Sequence, residues 1–163
     1  MSGLVKFLSI LVAIGVQITL WPELTNRVLP AVVLAMAVVW GHRESPATGF
    51  QLAFLGGLLL DLYAQHSFGL YTAATLAGYG TVWLVQRPSE DSGLGERLAS
   101  FAVACLIYEL MLVIIINFSG VFPFFDSLLK VSTLNIAVSL GLFVLMQPLI
   151  TTAKAPPRHA RPL

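Results

Sequence analysis

Charged residues are scarce in this chain. Only 10% of its 163 residues are Asp, Glu, Lys or Arg, whereas 57% are hydrophobic, and the mean hydropathy is +0.86. Soluble domains carry roughly 25% charged residues, so a soluble globule of this composition would lack the polar side chains needed to cover its surface. The composition therefore predicts that a lipid bilayer surrounds most of the chain.

Strong net charge and paired cysteines are absent as well. The formal net charge of +1 gives no global field that would attract nucleic acid. The single cysteine, Cys105, lies in an apolar run and cannot form an internal disulfide. We interpret it as a small buried hydrophobic residue.

Motifs for catalysis or cofactor binding are also missing. The sequence has no His-x-x-x-His or Cys pair and no GxxxxGK[ST] loop, which excludes the common zinc and nucleotide motifs. His66 near Asp61 supplies too few ligands for a metal, and neither Ser67 nor Ser119 has a His and an acid nearby in a triad pattern. We expect no cofactor and no enzymatic activity.

Six apolar stretches are present, separated by short polar breaks. Because a membrane-spanning helix needs roughly 17 to 25 residues, they predict an all-α integral membrane protein with six transmembrane helices. The second stretch is apolar only from 28 to 40 and spans only if its helix starts at Pro22 or Glu23. The polar, Pro-rich residues 151–163 predict a disordered tail. The predicted helices cover about 4–21, 24–40, 47–63, 69–86, 98–117 and 128–148.

Basic residues are distributed unequally between the two ends of the predicted helices. Two of the nine lie on one side, Arg27 and Lys130, and seven lie on the other. Since Lys and Arg favour cytoplasmic loops, both termini are predicted in the cytoplasm. The seven are Lys6, Arg43, Arg87, Arg97, Lys154, Arg158 and Arg161.

Small residues recur at a spacing of four in the third and fourth stretches, which places them on one helix face. In membranes such faces allow two backbones to approach closely, so we predict a tight antiparallel pair. The fifth stretch has large side chains and offers apolar surface to lipid or to another protein. The small residues are Gly49, Ala53 and Gly57 in the third stretch, and Gly69, Ala73, Ala77 and Thr81, with Ala74 and Gly78, in the fourth.

Asp61 lies near the end of the third stretch, where a negative charge opposes the helix dipole. One interpretation is a carboxylate at the membrane interface, in contact with headgroups and water. The other is a clamp on the following connection, with the amides of residues 64–69 or Tyr71 as partners.

Glu109 lies near the middle of the fifth stretch, where a carboxylate costs roughly 2.5 to 3.5 kcal/mol on insertion scales. It should be protonated, paired or facing a water-filled cavity. It could form an intramembrane site for a ligand or partner helix. Alternatively, it is a structural residue hydrogen-bonded to Gln51, Asn135 or a Tyr hydroxyl.

The run from His42 to Tyr79 resembles the MreD family of bacterial rod-shape-determining proteins. Its shared pattern is a basic residue, a polar turn, a Gly-rich helix ending in Asp-Leu, a loop with a Gly, and a helix rich in small residues. Gln65 and His66 depart from it, because small loop residues are more common there. Family members also often place an acid where Glu109 stands. The matching residues are Arg43, Thr48-Gly49-Phe50, Gly56-Gly57, Asp61-Leu62 and Gly69-Leu70.

This resemblance implies a non-enzymatic scaffold of the cell-elongation machinery that helps to organise peptidoglycan synthesis. Such proteins bind MreC and, through it, join MreB, RodA and a class B penicillin-binding protein. The family is similar in fold to the S components of energy-coupling-factor transporters. That similarity supplies the alternative, a substrate-binding subunit of a vitamin transporter. For the scaffold, the fifth helix and the GHRESP segment are the candidate partner-binding surfaces.

Overall fold

The computed structural model describes residues 3–20, 31–63, 68–85, 93–118 and 125–151. Every regular element within these residues is a helix. The predicted all-α class is therefore confirmed for that part of the chain. A π-helical turn, Val16–Leu20, extends the first helix. The six α-helices are α1 (Gly3–Gly15), α2 (Val32–Arg43), α3 (Pro46–Tyr63), α4 (Leu70–Val85), α5 (Leu94–Phe118) and α6 (Phe125–Thr151).

The boundaries of α3 and α4 agree with the predicted 47–63 and 69–86 to within one residue. By contrast, α5 begins at Leu94 rather than 98, so its first turn includes Glu96, an acid that favours a helix N-terminus. The α6 helix extends beyond 128–148 at both ends and contains Pro148 near its C-terminus. Most of the tail predicted from 151 onward lies outside the described residues.

The second helix differs most from its prediction. It begins at Val32 rather than at 24 and continues to Arg43 rather than ending at Trp40, while residues 21–30 lie outside the described part. Twelve residues rise only about 18 Å, against a hydrocarbon core of about 30 Å. Residues 32–35 and 37–41 are buried, and α2 packs against α1, α3, α4 and α6. A helix that is apolar all round belongs in the interior, so α2 is the central helix of the fold.

The GHRESP segment is mostly helical rather than a loop. Residues 41–43 complete α2, and the Glu44 N–H donates to the Trp40 carbonyl at 3.0 Å. The Ser45 hydroxyl then accepts the Thr48 N–H at 3.2 Å, which caps the start of α3, and Pro46 occupies its first position. Ser before Pro is a strong helix-start signal, and it explains why the connection is so short.

The sequence predicts six spanning helices. Among the described residues, a single segment is long and apolar enough to cross a membrane, Leu94–Ile114. The apolar helices Gly3–Thr19, Val32–Arg43 and Asn135–Met146 are shorter. The count of six is therefore not reproduced by this criterion. The main physical reason is that several apolar stretches form helices of fewer than 18 described residues.

Side-chain contacts join the ends of α1 and α2. The Trp40 indole N–H donates to the Ser9 hydroxyl at 2.9 Å, and Lys6 forms an ion pair with Glu44. The hydrogen bond from Lys6 lowers the pKa of the Glu44 carboxyl. Elsewhere in the core, between α5 and α6, the buried rings of Phe101 and Phe143 stack 4.2 Å apart. The contacts of Trp40 with Ser9 and of Lys6 with Glu44 place the start of α1 beside the end of α2. This is the arrangement expected when the two helices run in opposite directions.

Candidate functional site

Asp61 is buried near the C-terminus of α3 and binds the first turn of α4. Its Oδ1 accepts the Tyr71 N–H at 2.8 Å. Its Oδ2 accepts the Thr72 N–H at 3.0 Å and the Thr72 hydroxyl at 2.5 Å. The first N–H groups of a helix have no partner within the helix, and they carry the positive end of its dipole. Asp61 therefore caps α4 from the preceding helix. This arrangement agrees with the interpretation from the sequence in which Asp61 clamps the connection after α3.

Gly57 lies at a close approach between the backbones of α3 and α4. A Cβ on Gly57 would lie 2.6 Å from the Thr72 Cα and 3.1 Å from the Tyr71 carbonyl oxygen. Both neighbours are backbone atoms and cannot rotate away. The absence of a side chain at Gly57 thus brings the first turn of α4 within reach of Asp61, one turn further along α3.

Gly49 provides a second close approach at the other end of the pair. A Cβ there would lie 2.6 Å from Tyr79 Cζ and 2.7 Å from the Ala37 carbonyl oxygen, and the Tyr79 hydroxyl donates to the Pro46 carbonyl at 2.8 Å. Residues near the start of α3 thus contact residues near the end of α4, and Gly57, further along α3, contacts the beginning of α4. The predicted antiparallel pairing of these two helices is confirmed.

Only part of the predicted set of small residues in α4 is buried. Ala73 is exposed and Ala77 only half-buried, whereas Ala74 and Gly78 are buried. A Cβ on Gly78 would lie 3.1 Å from the Ala104 carbonyl oxygen of α5. The α4 helix packs against α2, α3 and α5. Its buried residues therefore lie on several sides of the helix, and a single row of residues spaced by four does not describe them.

Gly69 and Arg43 lie away from these helix contacts. Gly69 precedes α4 with φ 94°, a left-handed conformation that glycine adopts without the strain of a side chain. Arg43 ends α2, and its guanidinium carbon lies 5.2 Å from the centre of the Trp40 ring, within cation–π range. Since α3 separates Arg43 from Asp61, the structure does not bring these two motif residues together.

Glu109 is buried in α5 and bonded to α6. Its Oε1 accepts a hydrogen bond from the Asn135 amide nitrogen at 3.1 Å, and the carboxyl makes further interactions. Asn135 was one of the three partners proposed from the sequence. Gln51, another of them, is exposed on α3. The Tyr71 side chain is within electrostatic range of both Asp61 and Glu109.

A polar group that the sequence did not predict surrounds the buried start of α2. The Ala31 N–H donates to the Ser139 hydroxyl at 3.0 Å, and the Val33 N–H donates to the Gln17 side-chain oxygen at 3.2 Å. These bonds satisfy donors that a helix leaves free at its N-terminus. The available signals were Gln17 as an interruption of an apolar run and the spacing of four between Asn135 and Ser139 on α6.

Several predictions fall outside what these contacts test. His66 and Gln65, with the outer segments 21–27 and 119–124, lie outside the described residues. The described residues contain no group of three or more His, Cys, Asp or Glu side chains that could hold a metal ion. Cys105 is buried as a free thiol.

Comparison of the chain with protein-family models, curated proteins and solved structures gives no match.

Proposed function

We propose that this chain is a six-span membrane scaffold of the MreD type, which holds a transmembrane helix of MreC and helps to organise peptidoglycan synthesis. Through MreC it would join MreB, RodA and a class B penicillin-binding protein in the inner membrane. Both termini would face the cytoplasm. The chain itself would carry out no chemistry.

One observation carries this proposal: several residues of the family-like motif occupy the close contacts of the α3–α4 pair or the turn position just before α4. Gly49 and Gly57 allow the helix approach, Asp61 caps α4, and Gly69 takes the left-handed turn. A motif of this kind is expected when a family shares one helix-pair geometry. The geometry gives a physical reason for those residue types at those spacings. This support for the resemblance comes from contacts within the chain and does not depend on sequence similarity to other proteins.

The membrane environment is supported by the outer surface of α5. Its exposed residues include Val103, Leu106, Leu110 and Ile114, of which the last three are 55%, 52% and 42% exposed. Their spacing of three to four residues forms one apolar stripe. Between helices in lipid there is no hydrophobic driving force, so close packing and hydrogen bonds decide association. This stripe is our candidate surface for MreC, and lipid would cover whatever MreC leaves exposed.

The vitamin-transporter alternative is favoured by one specific observation, the buried polar group around Glu109, Asn135 and the start of α2. Binding subunits place convergent polar side chains in an apolar interior. In this chain several of these atoms are engaged in joining helices. We therefore assign them first to the fold and keep transport as the second candidate.

Purification from membranes separates the two candidates. The tagged chain should co-purify with a single-span protein that has a coiled-coil extracytoplasmic region. Leu106→Ala with Leu110→Ala should weaken that association by about tenfold or more, since two large side chains at an interface core contribute on the order of 1 kcal/mol each or more. Phe50→Ala with Phe54→Ala, two exposed positions on α3, is the matched control.

Co-purification of an ATPase pair with a bound vitamin would contradict the scaffold proposal and support transport. If the α5 and α3 variants lost association equally, the proposed scaffold function would stand, but the proposal that α5 provides the binding surface would be wrong.

A further inference from the structure

Gln51 is a polar residue on the outer face of α3, among apolar side chains. It is exposed, and its neighbours on that face, Phe50, Phe54 and Leu55, are exposed at 53%, 43% and 47%. The opposite face of α3 contacts α4 through Gly57. Gln51 therefore lies outside the bundle and takes no part in the interior hydrogen bonding that one interpretation of the sequence gave it.

Two other polar side chains of α3 have partners within the chain. The Thr48 and Ser45 hydroxyl groups lie 3.0 Å apart at the start of the helix. Asp61 accepts three hydrogen bonds from the first turn of α4. The Gln51 carboxamide differs from both, because it places a donor and an acceptor on an exposed and otherwise apolar surface.

The depth of Gln51 makes this position unfavourable in a bilayer. The 18 residues of α3 rise about 27 Å, close to the hydrocarbon thickness of about 30 Å. Gln51 lies five residues after Pro46, which is about 7.5 Å along the helix axis. On the proposed topology its amide faces hydrocarbon, where a polar group without a partner is costly. A protein surface that supplies a donor and an acceptor at this depth would offset that cost.

The outer residues of α3 form a stripe suited to a parallel helix. Five of them follow one another at steps of four, three, four and four residues, which keeps them on one side of a helix and approximates a heptad seam. Four are exposed and one is half-buried, and none is charged. A single polar residue in such a seam fixes the register of the two helices. The outer α3 stripe consists of Ala47, Gln51, Phe54, Leu58 and Leu62.

We propose that the outer α3 stripe binds the same stripe of a second copy of this chain, with the two Gln51 carboxamides hydrogen-bonded to each other. A twofold axis along the membrane normal places each residue of the stripe beside its own copy, at the same depth. A carboxamide is complementary to itself, because its N–H donates and its oxygen accepts.

Symmetry is the reason for choosing a second copy as the occupant. An unrelated helix satisfies Gln51 only if it carries a polar residue at this depth, whereas a second copy always does. Apolar stripes without charge also pair with themselves without repulsion. This inference depends on the membrane environment, and it does not depend on the binding of MreC.

Cysteine crosslinking in isolated membranes tests the contact. Gln51→Cys and Phe54→Cys, each combined with Cys105→Ala, should form a disulfide-linked dimer when copper–phenanthroline is added. Ala99→Cys is the matched control, because Ala99 is exposed on α5 and also lies five residues after the first residue of its helix. A dimer at positions 51 and 54 but not at 99 supports the interface. Equal crosslinking at all three positions, or crosslinking of Gln51→Cys to a different protein only, overturns it.

Replacement of the carboxamide tests the hydrogen bond itself. The dimer fraction of the labelled full chain is measured by single-molecule photobleaching in lipid vesicles. Gln51→Leu should weaken dimerisation by about threefold or more, as expected for a hydrogen bond between helices in a membrane. Gln51→Asn keeps the amide and should lie between Gln51→Leu and the wild type. A wild-type chain that stays monomeric, or a Gln51→Leu variant that dimerises as well as the wild type, overturns the proposal.

Discussion

At the residue scale, Asp61 and Glu109 are buried acids with different kinds of partner. Asp61 accepts three hydrogen bonds from the start of one helix, which joins elements that are neighbours in sequence. Glu109 binds Asn135 on α6 and so joins α5 to the last helix. The chemistry of a carboxylate at a helix start explains the first arrangement directly. The second needs the fold to bring a distant amide to Glu109.

Asp61→Asn should destabilise the α3–α4 pair. Both oxygens of Asp61 accept hydrogen bonds, so an amide nitrogen at either position would face another donor. We expect a loss of about 1–3 kcal/mol in the free energy of unfolding, measured by chemical or thermal unfolding in detergent. Glu96→Gln, at an exposed acid in the first turn of α5, is the control. An equal, small effect of both variants would show that the cap contributes nothing.

Replacements of Glu109 should separate hydrogen bonding from charge. Glu109→Gln keeps an oxygen that accepts from Asn135, so we expect stability within about 1 kcal/mol of the wild type. Glu109→Leu removes an acceptor of the buried Asn135 amide and should cost about 1–3 kcal/mol. Unfolding midpoints and growth as rods in complemented cells are measured together. A Glu109→Gln variant that folds normally but fails to support rod shape would instead establish a function for the charge.

At the scale of elements, α3 and α4 form a unit whose approach depends on glycine, and α2 forms a core helix around which the others pack. The row of small residues predicted for α4 shows what pattern alone misses. Ala73 and Ala74 are equally small, yet one is exposed and the other buried, because neighbouring helices decide which side of α4 faces inward. Side-chain size permits close packing on several faces and does not select among them.

Gly57→Leu should disrupt the α3–α4 pair more than any comparable change outside it. The new side chain would collide with the backbone at Thr72, and overpacking of this kind costs about 1–3 kcal/mol or more. Ala77→Leu should have a smaller effect, because Ala77 is half-buried. Unfolding in detergent is the measurement.

Gly80→Leu is the matched control for Gly57→Leu. Gly80 lies in α4, and a Cβ there would have no described atom within 4 Å. Its replacement should leave the unfolding midpoint nearly unchanged. If Gly57→Leu and Gly80→Leu behaved alike, the close approach would not control the stability of the pair.

At the scale of the whole molecule, the basic residues and the helix order together predict the topology. The Lys6–Glu44 ion pair and the stacking of His42 on Trp83, with ring centres 5.6 Å apart, bring the start of α1 and the ends of α2 and α4 to one side. This is the side predicted to be cytoplasmic. An even number of crossings would then return the C-terminus to the side of the N-terminus.

Reporter tags fused to the two termini should both report the cytoplasm, and the chain should remain in the membrane fraction until detergent is added. Seven of nine basic residues on one side provide the physical reason. Tags that report opposite compartments would require an odd number of crossings. A chain that stays dispersed in buffer without detergent would overturn the membrane assignment and the proposed function with it.

The amino-acid sequence by itself determined the helical class and the limits of α3 and α4, and it offered helix-start amides as one of two kinds of partner for Asp61. These features depend on local chemistry: apolar runs, glycine spacing, and a carboxylate next to free helix N–H groups. Only the tertiary structure decided that α2 is a short central helix, which face of α4 is buried, and that Gln17 and Ser139 cap α2. Those outcomes depend on which distant segments become neighbours, and no local pattern along the chain contains that information.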